Sequence, residues 1–381
     1  MQMIAKATAP RGRRFITIAY YISDYGYGHA ARSVAIIRRL CREKNLDIKI
    51  IICHSFAYEF LNESLYDLIS KDQVVMRRLT NDIGYVLKPY DLHPDADGLK
   101  IKYEQFVRGF SESARKETLF LKKNHVDLVI SDIPPVPFTA ARAASVPSIG
   151  ISNFTWYTAY SGLLTEEERQ PLLDSYQDMD YFFALAGSRE RLWGRKGNES
   201  FGFFSRNIQL EEVKRIKRLV DPEAVKTIVF FGLGMKIEAD NLASLKLWRS
   251  KDCVFLVSSN MAVIGENIHP IPGQDTESQN YIAASDIVIS KPGWGTVAEA
   301  VSLHKQLILV TRDQMREDND TVAYLRHPGR CVLVRWEDFH EFQITEEIHQ
   351  EMGGQEKNRG EDSEDVVDHI AERICSIIGG D

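Results

Sequence analysis

A short apolar stretch followed by a pair of glycines most constrains how this chain can fold. Residues 15–22 are rich in β-branched and aromatic side chains, which is the pattern of a buried strand. Gly26 and Gly28 come next, and the apolar residues after them have helical spacing. A strand, a glycine turn and a helix in this order are typical of a parallel α/β sheet, where ligands bind beyond the strand ends. His29 stands at this turn.

The turn does not match a dinucleotide-binding fingerprint. A G-x-G-x-x-G motif that starts at Gly26 would need glycine at the position of Ala31. Two interpretations stay open. Gly28 and the N-terminus of the following helix could approach a ligand closely, with His29 as a reactive group beside it. Alternatively, the glycines only make a tight turn and His29 is a surface cap of the helix.

A second strand, glycine turn and helix occur in SKPGWGTVAEAV, residues 290–301. The glycines are Gly293 and Gly295, and Thr296 is placed to cap the helix. The N–H groups of its first turn could receive a diphosphate. Glu299 lies one turn further on, where a carboxylate could bind the hydroxyls of a ribose. A glutamate there could also simply complement the helix dipole.

Two further segments of the second half are candidates for the same site. Gly232 and Gly234 follow another predicted strand and would bring more backbone amides to a diphosphate. Asp313, Glu317 and Asn319 follow a later strand, and their side chains are suitable partners for sugar hydroxyls. Charged residues after a strand are also often only solvated, so this assignment has a structural alternative.

The first half holds one more candidate group. Asp132 ends the strand pattern DLVIS and precedes two prolines. Its carboxylate could orient an acceptor or support His29, or it could cap the turn that the prolines make. The aromatic residues of 153–160 follow the next strand, and they could fill the core or form a wall for an acceptor.

The order of predicted elements indicates two similar α/β units. A chain of 381 residues is long enough for two domains. The strand and helix patterns predict a first domain at 15–205, a second domain at 222–345 and a C-terminal helix at 364–378. Within the first domain they predict one long helix at 103–125. The glycine-rich and charged residues 197–207 are a candidate connector between the domains.

Composition restricts the class of partner. The chain is 44% hydrophobic and 27% charged, as expected for a globular protein, and its net charge of −7 argues against nucleic-acid binding. Five cysteines without a C-x-x-C pair predict reduced thiols and a cytoplasmic location. Two D-x-D sequences follow no clear strand, so no metal site is expected. No apolar run reaches roughly 18 residues and no signal-peptide core is present, while peripheral membrane contact stays open.

Three segments together resemble the GT-B glycosyltransferases, especially the MurG-like family 28. They are AYYISDYGYGHAAR (19–32), LVISDIPPVPFTAARAASVPSIGISNFTW (128–156) and ISKPGWGTVAEAV (289–301). The likeness covers most of 15–345 and is closer to the N-terminal, glycosyltransferase-like half of L-arabinokinases. It implies an α/β GT-B fold in which two Rossmann-like domains face each other across a cleft. The kinase motif P-x-x-x-G-L-x-S-S-A does not occur, so arabinose phosphorylation is not expected.

The resemblance implies a glycosyltransferase without a bound metal or cofactor. The second domain would hold a nucleotide sugar, with a UDP-sugar as the expected donor. The acceptor, a small molecule, a glycan or a lipid-linked compound, would lie against the first domain. His29 would be the general base and Asp132 its support. The implied donor-binding residues are Gly28, Gly232, Gly234, Gly293, Trp294, Gly295, Thr296, Glu299, Asp313, Glu317 and Asn319.

Two other functions use the same residues. A nucleotide-sugar hydrolase of the PseG type would use the histidine to activate water instead of an acceptor hydroxyl. A non-catalytic sugar-nucleotide-binding module would bind the donor without turnover.

Overall fold

The computed structural model describes residues 14–88, 93–234, 242–258, 261, 263–312, 315–325, 331–353 and 363–379. These residues form two compact units. The first unit takes the described residues up to Val86, Pro94–Phe201 and the residues from Val367 onward. The second unit takes those within Gly202–Val366, together with Leu87, Lys88 and His93. Each unit contains one parallel sheet, so the prediction of two parallel α/β units is confirmed.

The sheet of the first unit has seven parallel strands in the order β3-β2-β1-β4-β5-β6-β7. They are β1 (Arg14–Ile22), β2 (Leu46–His54), β3 (Val74–Arg78), β4 (Leu128–Asp132), β5 (Ser148–Ser152), β6 (Tyr181–Leu185) and β7 (Gly197–Phe201). The strand order reverses between β1 and β4, which is the topological switch point of a doubly wound sheet. A ligand site is therefore expected beyond the carboxyl ends of these two strands.

Helices cover both faces of this sheet, which explains why its central strands are apolar almost throughout. Every residue of β4 and β5 is buried. The helices are α1 (Tyr27–Leu40), α2 (Tyr58–Ser64), α3 (Tyr66–Ser70), α4 (Ala96–Arg108), α5 (Phe110–Lys123), α6 (Val136–Ala144), α7 (Trp156–Ala159) and α8 (Gln170–Gln177).

The second sheet has six parallel strands in the order β10-β9-β8-β11-β12-β13. They are β8 (Thr227–Gly232), β9 (Cys253–Val257), β10 (Ile268–Pro270), β11 (Ile287–Ser290), β12 (Gln306–Thr311) and β13 (Val332–Arg335). Its switch point lies between β8 and β11. The helices of this unit are α9 (Leu210–Val220), α10 (Ser278–Ala284), α11 (Trp294–Ser302), α12 (Arg316–Leu325) and α13 (Glu346–Gly353). Phe231, Phe255 and Phe339 lie at the centre of its core, each fully buried.

Two expectations about the first unit are wrong. The single helix at 103–125 is two helices, because α4 ends at Arg108 and α5 begins at Phe110, with Gly109 between them. Glycine weakens a helix interior, which makes this the natural place for the break. The connector at 197–207 begins instead as the edge strand β7, which pairs with β6 from Gly197 to Phe201.

The last helix, α14 (Ser363–Gly379), packs on the first unit. Arg39 of α1 bonds to Asp368, and the guanidinium of Arg373 donates to Glu199 of β7 at 2.7 Å. The ring of His369 lies 5.4 Å from that of Phe201. The C-terminal helix therefore packs on the same unit that contains the N-terminal strand β1.

Candidate active site

The predicted catalytic residues meet at the switch point of the first sheet. His29 lies in the first turn of α1, directly after β1, and Asp132 is the last residue of β4. Gly26 has a φ of +82° just before α1 begins, a conformation that costs glycine little. The turn therefore places the start of α1 beside the end of β4. Gly28 is exposed in the first turn of α1.

A buried network of hydrogen bonds joins the two residues. Nδ1 of His29 lies 2.9 Å from Oδ1 of Asp132. Arg32 donates from Nε to the other oxygen of Asp132 at 2.6 Å and also contacts the first oxygen. A third contact of the guanidinium, from Nη2, lies 3.0 Å from Nδ1 of His29. All three side chains are more than nine-tenths buried.

The electrostatics of the network favour the charged form of Asp132 and the neutral form of His29. Burial alone would raise the pKa of Asp132, but the neighbouring Arg32 and His29 outweigh it and hold that pKa below its ordinary value. Burial lowers the pKa of His29 below 6.5, and the charge of Arg32 acts in the same direction while Asp132 opposes it. A neutral imidazole is the form that can accept a proton.

The tautomer of His29 decides whether it can act as a base. An ionised Asp132 can only accept, so Nδ1–H can donate to it and leave the lone pair on Nε2. The guanidinium of Arg32 can only donate, and it can bond to Nδ1 when the proton is on Nε2 instead. Asp132 and Arg32 therefore compete for Nδ1 of His29. The lone pair on Nε2 is free to accept a proton only when Nδ1 donates to Asp132.

Arg32 is a site residue that the motif analysis missed. Arg32 also donates to Oδ1 of Asn153 at 2.8 Å and to Oγ of Ser152 at 3.2 Å, at the end of β5. Arg32 therefore ties the ends of β4 and β5 to α1. The signal in the sequence was its spacing, because residues three apart on a helix share one face, and Arg32 follows His29 by three.

The aromatic residues after β5 fill the core, as one of the two interpretations had it. Phe154, Trp156 and Tyr160 are nearly inaccessible, and the rings of Trp156 and Tyr160 stack at 5.1 Å. The ring of Phe154 lies 5.9 Å from the imidazole of His29. The cluster therefore packs against the candidate base through the ring of Phe154.

The buried carboxyl group of Asp82 is bonded to this cluster. Trp156 donates from Nε1 to Oδ2 of Asp82 at 2.9 Å, and the amide of Asp24 donates to Oδ1 at 3.1 Å. Burial, and then the nearby charge of Asp24, raise the pKa of Asp82 to about 7. Asp82 thus joins the loop after β1 to the aromatic cluster, in a form that titrates near neutrality.

Two of the predicted diphosphate glycines lie beside a lysine at the switch point of the second sheet. Gly234 follows β8 with a φ of +92°, and a Cβ there would lie 3.0 Å from Cε of Lys291. A Cβ on Gly293 would lie 3.3 Å from the same atom. The side chain of Lys291 therefore runs between the two glycine turns. Lysine is a common phosphate partner, yet the sequence analysis did not single out Lys291.

Helix α11 begins earlier than the sequence suggested. It starts at Trp294 with Gly293 as its N-cap, so Thr296 is the third helical residue and not the cap. The first bond within the helix runs from the amide of Val297 to Gly293. The amides of Gly295 and Thr296 therefore belong to the turn that has no acceptor inside the helix. A helix start of this kind attracts anions.

The ring of Trp294 packs inward. It is 6% exposed and lies 5.6 Å from the ring of Phe203 and 5.1 Å from that of Phe204. The side chain therefore anchors the start of α11 to the beginning of the second unit. A contact between Trp294 and a donor stays a prediction.

Glu299 is an ion-paired residue in this structure. Nε of Arg206 donates to Oε1 of Glu299 at 2.8 Å, and both side chains are buried. Arg206 lies 93 positions away in the sequence, and no local pattern identified it. The role of Glu299 as a ribose ligand stays a prediction, with Arg206 as its partner.

Two of the remaining predicted residues lie in α12. Glu317 and Asn319 are in the first turns of this helix, Glu317 half-buried and Asn319 exposed. Arg312 and Asp318 form a buried ion pair of 2.7 Å beside them. Asp313 lies outside the described residues. Contacts of these three predicted residues with a sugar stay predictions.

No group of three or more His, Cys, Asp or Glu side chains in the described ranges could hold a metal ion. Among the same residues, no helix is both long and apolar enough to span a bilayer. The D-x-D aspartate Asp95 has a structural role, because it caps α4 by accepting from the amide of Gly98.

Comparison with solved structures identifies the fold. The chain has the GT-B fold, because it superposes over nearly its whole length on GT-B glycosyltransferases. The calicheamicin glycosyltransferase CalG4 matches with a TM-score of 0.60 and 14% identity over 96% of this chain and 98% of that one. Arabidopsis thaliana UGT89C1, solved in complex with UDP, matches with a TM-score of 0.57 and 11% identity over 94% of this chain and 100% of that one.

Sequence comparisons agree with the fold. Residues 265–374 match the glycosyltransferase family 28 C-terminal domain. The L-arabinokinase of Arabidopsis thaliana is 25% identical over 319 residues, which are 80% of this chain. The chain spans only 29% of the length of that relative. The resemblance to GT-B, family 28-like glycosyltransferases is thereby confirmed, and the comparisons support glycosyl transfer in general terms.

Proposed function

We propose that this protein transfers a sugar from a nucleotide sugar to an acceptor hydroxyl without a bound metal, with a UDP-sugar as the donor. The observation that carries the proposal is the buried contact between His29 and Asp132 at the switch point of the first sheet. A second switch point with glycine turns, a helix start and Lys291 supports the donor half of the reaction. The relative UGT89C1 was solved with UDP and with UDP-L-rhamnose, which favours a uridine donor.

In this reaction the first unit acts on the acceptor and the second unit binds the donor. Nε2 of His29 takes the proton of the acceptor hydroxyl as its oxygen bonds to the anomeric carbon of the sugar. The bond from that carbon to the diphosphate oxygen breaks, and the nucleoside diphosphate leaves with the bonding electron pair. The ionised Asp132 stabilises the imidazolium that forms. Amides at the start of α11 and the ammonium of Lys291 offset the charge that develops on the diphosphate.

The cysteines support a further detail of the proposal. All five cysteines are thiols, which fits a reducing compartment such as the cytoplasm. The same scheme requires only that the acceptor carries a hydroxyl group, as a small molecule, a glycan or a lipid-linked compound does. A lipid-linked acceptor would require peripheral contact with a membrane.

The experiment is a nucleotide-release assay with and without acceptors. Purified protein is incubated with UDP-sugars and a panel of acceptors, and both UDP and the product mass are measured. We expect acceptor-dependent UDP release that disappears in His29→Ala. Release that does not depend on any acceptor would identify a hydrolase instead. Tight donor binding without any release would identify a non-catalytic binding module.

A further inference from the structure

A concave pocket of about 380 Å³ lies at the amino ends of β5 and β6. Pro147 and Asp180, which line it, directly precede these two strands. The polar residues of its lining are Arg142, Ser145, Asp180, Arg195 and Lys196. His29 and Asp132 meet at the carboxyl ends of the same parallel sheet, so the pocket is at the opposite edge from them. Its volume is within the range of sites for small ligands.

The lining of this pocket carries more positive than negative charge. Arg142, Arg195 and Lys196 contribute three cations, and Asp180 contributes one carboxylate. Asp178 is not part of the lining, but its Oδ1 lies 3.9 Å from Nε of Arg142. With both carboxylates counted, one positive charge stays in excess, in a chain whose net charge is −7. A concave surface with an excess of one sign concentrates counter-ions, so the pocket favours an anion.

The turn that carries Arg195 and Lys196 is held by its backbone. The amide of Lys196 donates to the carbonyl oxygen of Asp180 at 2.7 Å. The side chain of Asn198 accepts from the amide of Gly194 at 2.9 Å and donates to the carbonyl oxygen of the same residue at 2.7 Å. Because the backbone is fixed in this way, only the two cationic side chains lose freedom when a ligand binds. Such preorganisation lowers the cost of binding.

The three cations keep hydrogen-bond donors for a ligand. Nη2 of Arg195 lies 3.5 Å from Oδ1 of Asp180, and Nζ of Lys196 lies 3.3 Å from Oδ2. Both distances exceed the roughly 2.7–2.9 Å of a charge-assisted hydrogen bond. The side chains of Arg142, Arg195 and Lys196 are 55%, 32% and 50% exposed. Their N–H groups are therefore accessible from the pocket.

A purely structural role accounts for only one of these cations. Arg142 lies in the last turn of α6, where a positive charge complements the helix dipole. Arg195 and Lys196 lie between β6 and β7 and belong to no helix. They share the single carboxylate of Asp180, so one of the two has no counter-charge of its own in the pocket.

We propose that this pocket binds a small phosphate monoester, such as a sugar phosphate, at a site separate from those of the donor and the acceptor. A phosphate monoester carries a charge of about −1.5 to −2 at pH 7 and has three acceptor oxygens. The guanidinium groups of Arg142 and Arg195 can each donate two parallel bonds to such oxygens, and Lys196 adds a point charge. The carboxylate of Asp180 can accept from hydroxyl groups on the rest of the ligand.

Isothermal titration in a buffer without phosphate tests the site. The probes are glucose 6-phosphate, ribose 5-phosphate and glycerol 3-phosphate, with inorganic phosphate and uncharged glucose for comparison. We expect at least one ester to bind the full chain at one site, more tightly than inorganic phosphate, and glucose not to bind. Its affinity should fall roughly tenfold in Arg142→Gln and in Lys196→Gln, as for the loss of a hydrogen bond to a charged group.

Two control variants locate the binding. Lys44→Gln removes an exposed charge elsewhere in the first unit, and Lys291→Met changes the proposed diphosphate site in the second unit. Both should keep the wild-type affinity for the ester. Arg142 and Lys196 are each about half exposed, so their replacement should leave the fold intact, which circular dichroism checks.

Each other outcome overturns the proposal. If none of the three esters binds the wild type, the pocket is not a phosphate site. If binding survives in both Arg142→Gln and Lys196→Gln, or falls equally in Lys44→Gln or Lys291→Met, the anion binds elsewhere. If inorganic phosphate binds as tightly as the esters, the assignment to an ester is wrong. None of these results depends on UDP binding, so the proposed function is tested separately.

Discussion

Nδ1 of His29 lies 2.9 Å from Oδ1 of Asp132, and this contact joins the first turn of α1 to the end of β4 across 103 residues of sequence. The two residues are brought together because β1 and β4 are neighbours at the point where the strand order reverses. The same topology recurs between β8 and β11. The chemistry assigned to each half of the chain follows from these two positions.

Replacing His29 by alanine should separate catalysis from donor binding. Loss of a general base typically lowers turnover by about a hundredfold to ten-thousandfold. Donor binding should be nearly unchanged, because the predicted donor residues other than Gly28 lie in the second unit. Steady-state kinetics and titration with UDP measure the two effects. Unchanged turnover in His29→Ala would remove the base role.

Replacing Arg32 should change the acidity of His29. The charge of Arg32 lowers the pKa of His29, so Arg32→Gln should raise this pKa and move the acid limb of the pH profile of kcat/KM to higher pH. The imidazole resonances of His29 report the same shift by NMR. Breaking a buried ion pair costs about 3–5 kcal/mol, so the fold of Arg32→Gln is checked by circular dichroism, and Arg32→Lys, which keeps the charge, should keep the lowered pKa.

Arg42→Gln is the control for that comparison. Arg42 is exposed just after α1 and is remote from the buried network. Its replacement should leave the titration of His29 unchanged. If Arg32→Gln also leaves it unchanged, the guanidinium does not compete for Nδ1.

Replacing Lys291 should weaken the binding of diphosphates but not of nucleosides. The side chain of Lys291 lies between Gly234 and Gly293, where the diphosphate is proposed to bind. Loss of a charge-assisted hydrogen bond in Lys291→Met should weaken UDP binding roughly tenfold to a hundredfold. Lys251→Met is the control, since that side chain is 90% exposed in the same unit. Equal weakening of uridine would contradict a phosphate contact.

The raised pKa of Asp82 predicts how the free energy of unfolding depends on pH. Its pKa is raised from 3.8 to about 7 in the folded protein, so the folded state binds this proton more tightly than the unfolded state does. The resulting stabilisation is present below pH 3.8 and is lost as the pH rises toward 7, by up to about 4 kcal/mol. Asp82→Asn should lack this loss, since asparagine does not titrate.

Denaturant unfolding at pH 5 and pH 8 checks this prediction. The free energy of unfolding should fall more between the two pH values in the wild type than in Asp82→Asn. Glu223→Gln is the control, because Glu223 is exposed and should leave the wild-type difference intact. Equal pH dependence in the wild type and Asp82→Asn would show that Asp82 stays ionised.

Local patterns sufficed for the parts of the fold that depend on neighbours in sequence. The apolar strands and the glycine turns before α1 and α11 follow from composition and spacing alone. The edge strand β7 was missed because GNESF has no apolar alternation, and its place is set by backbone pairing with β6. The break at Gly109 was missed because the helical pattern continues on both sides of it.

The candidate site was predictable only where a motif marks it. His29 and Glu299 lie in helices that follow glycine turns, and such turns have a physical reason to bind a ligand. Arg32 was signalled by its helical spacing from His29, whereas Arg206 is 93 positions from Glu299 and meets it through a tertiary contact. Sequence spacing carries no information about so distant a pair, so the ion pair of Glu299 could not be foreseen.

A thermal-shift panel of UDP, GDP, dTDP and CDP sugars tests the central claim most directly. A ligand at one hundred times its dissociation constant stabilises the folded state by about 2.7 kcal/mol, which raises the melting temperature by several degrees. We expect such a rise, increasing with concentration, for a UDP-sugar. A panel in which no nucleotide sugar changes the melting temperature would contradict it.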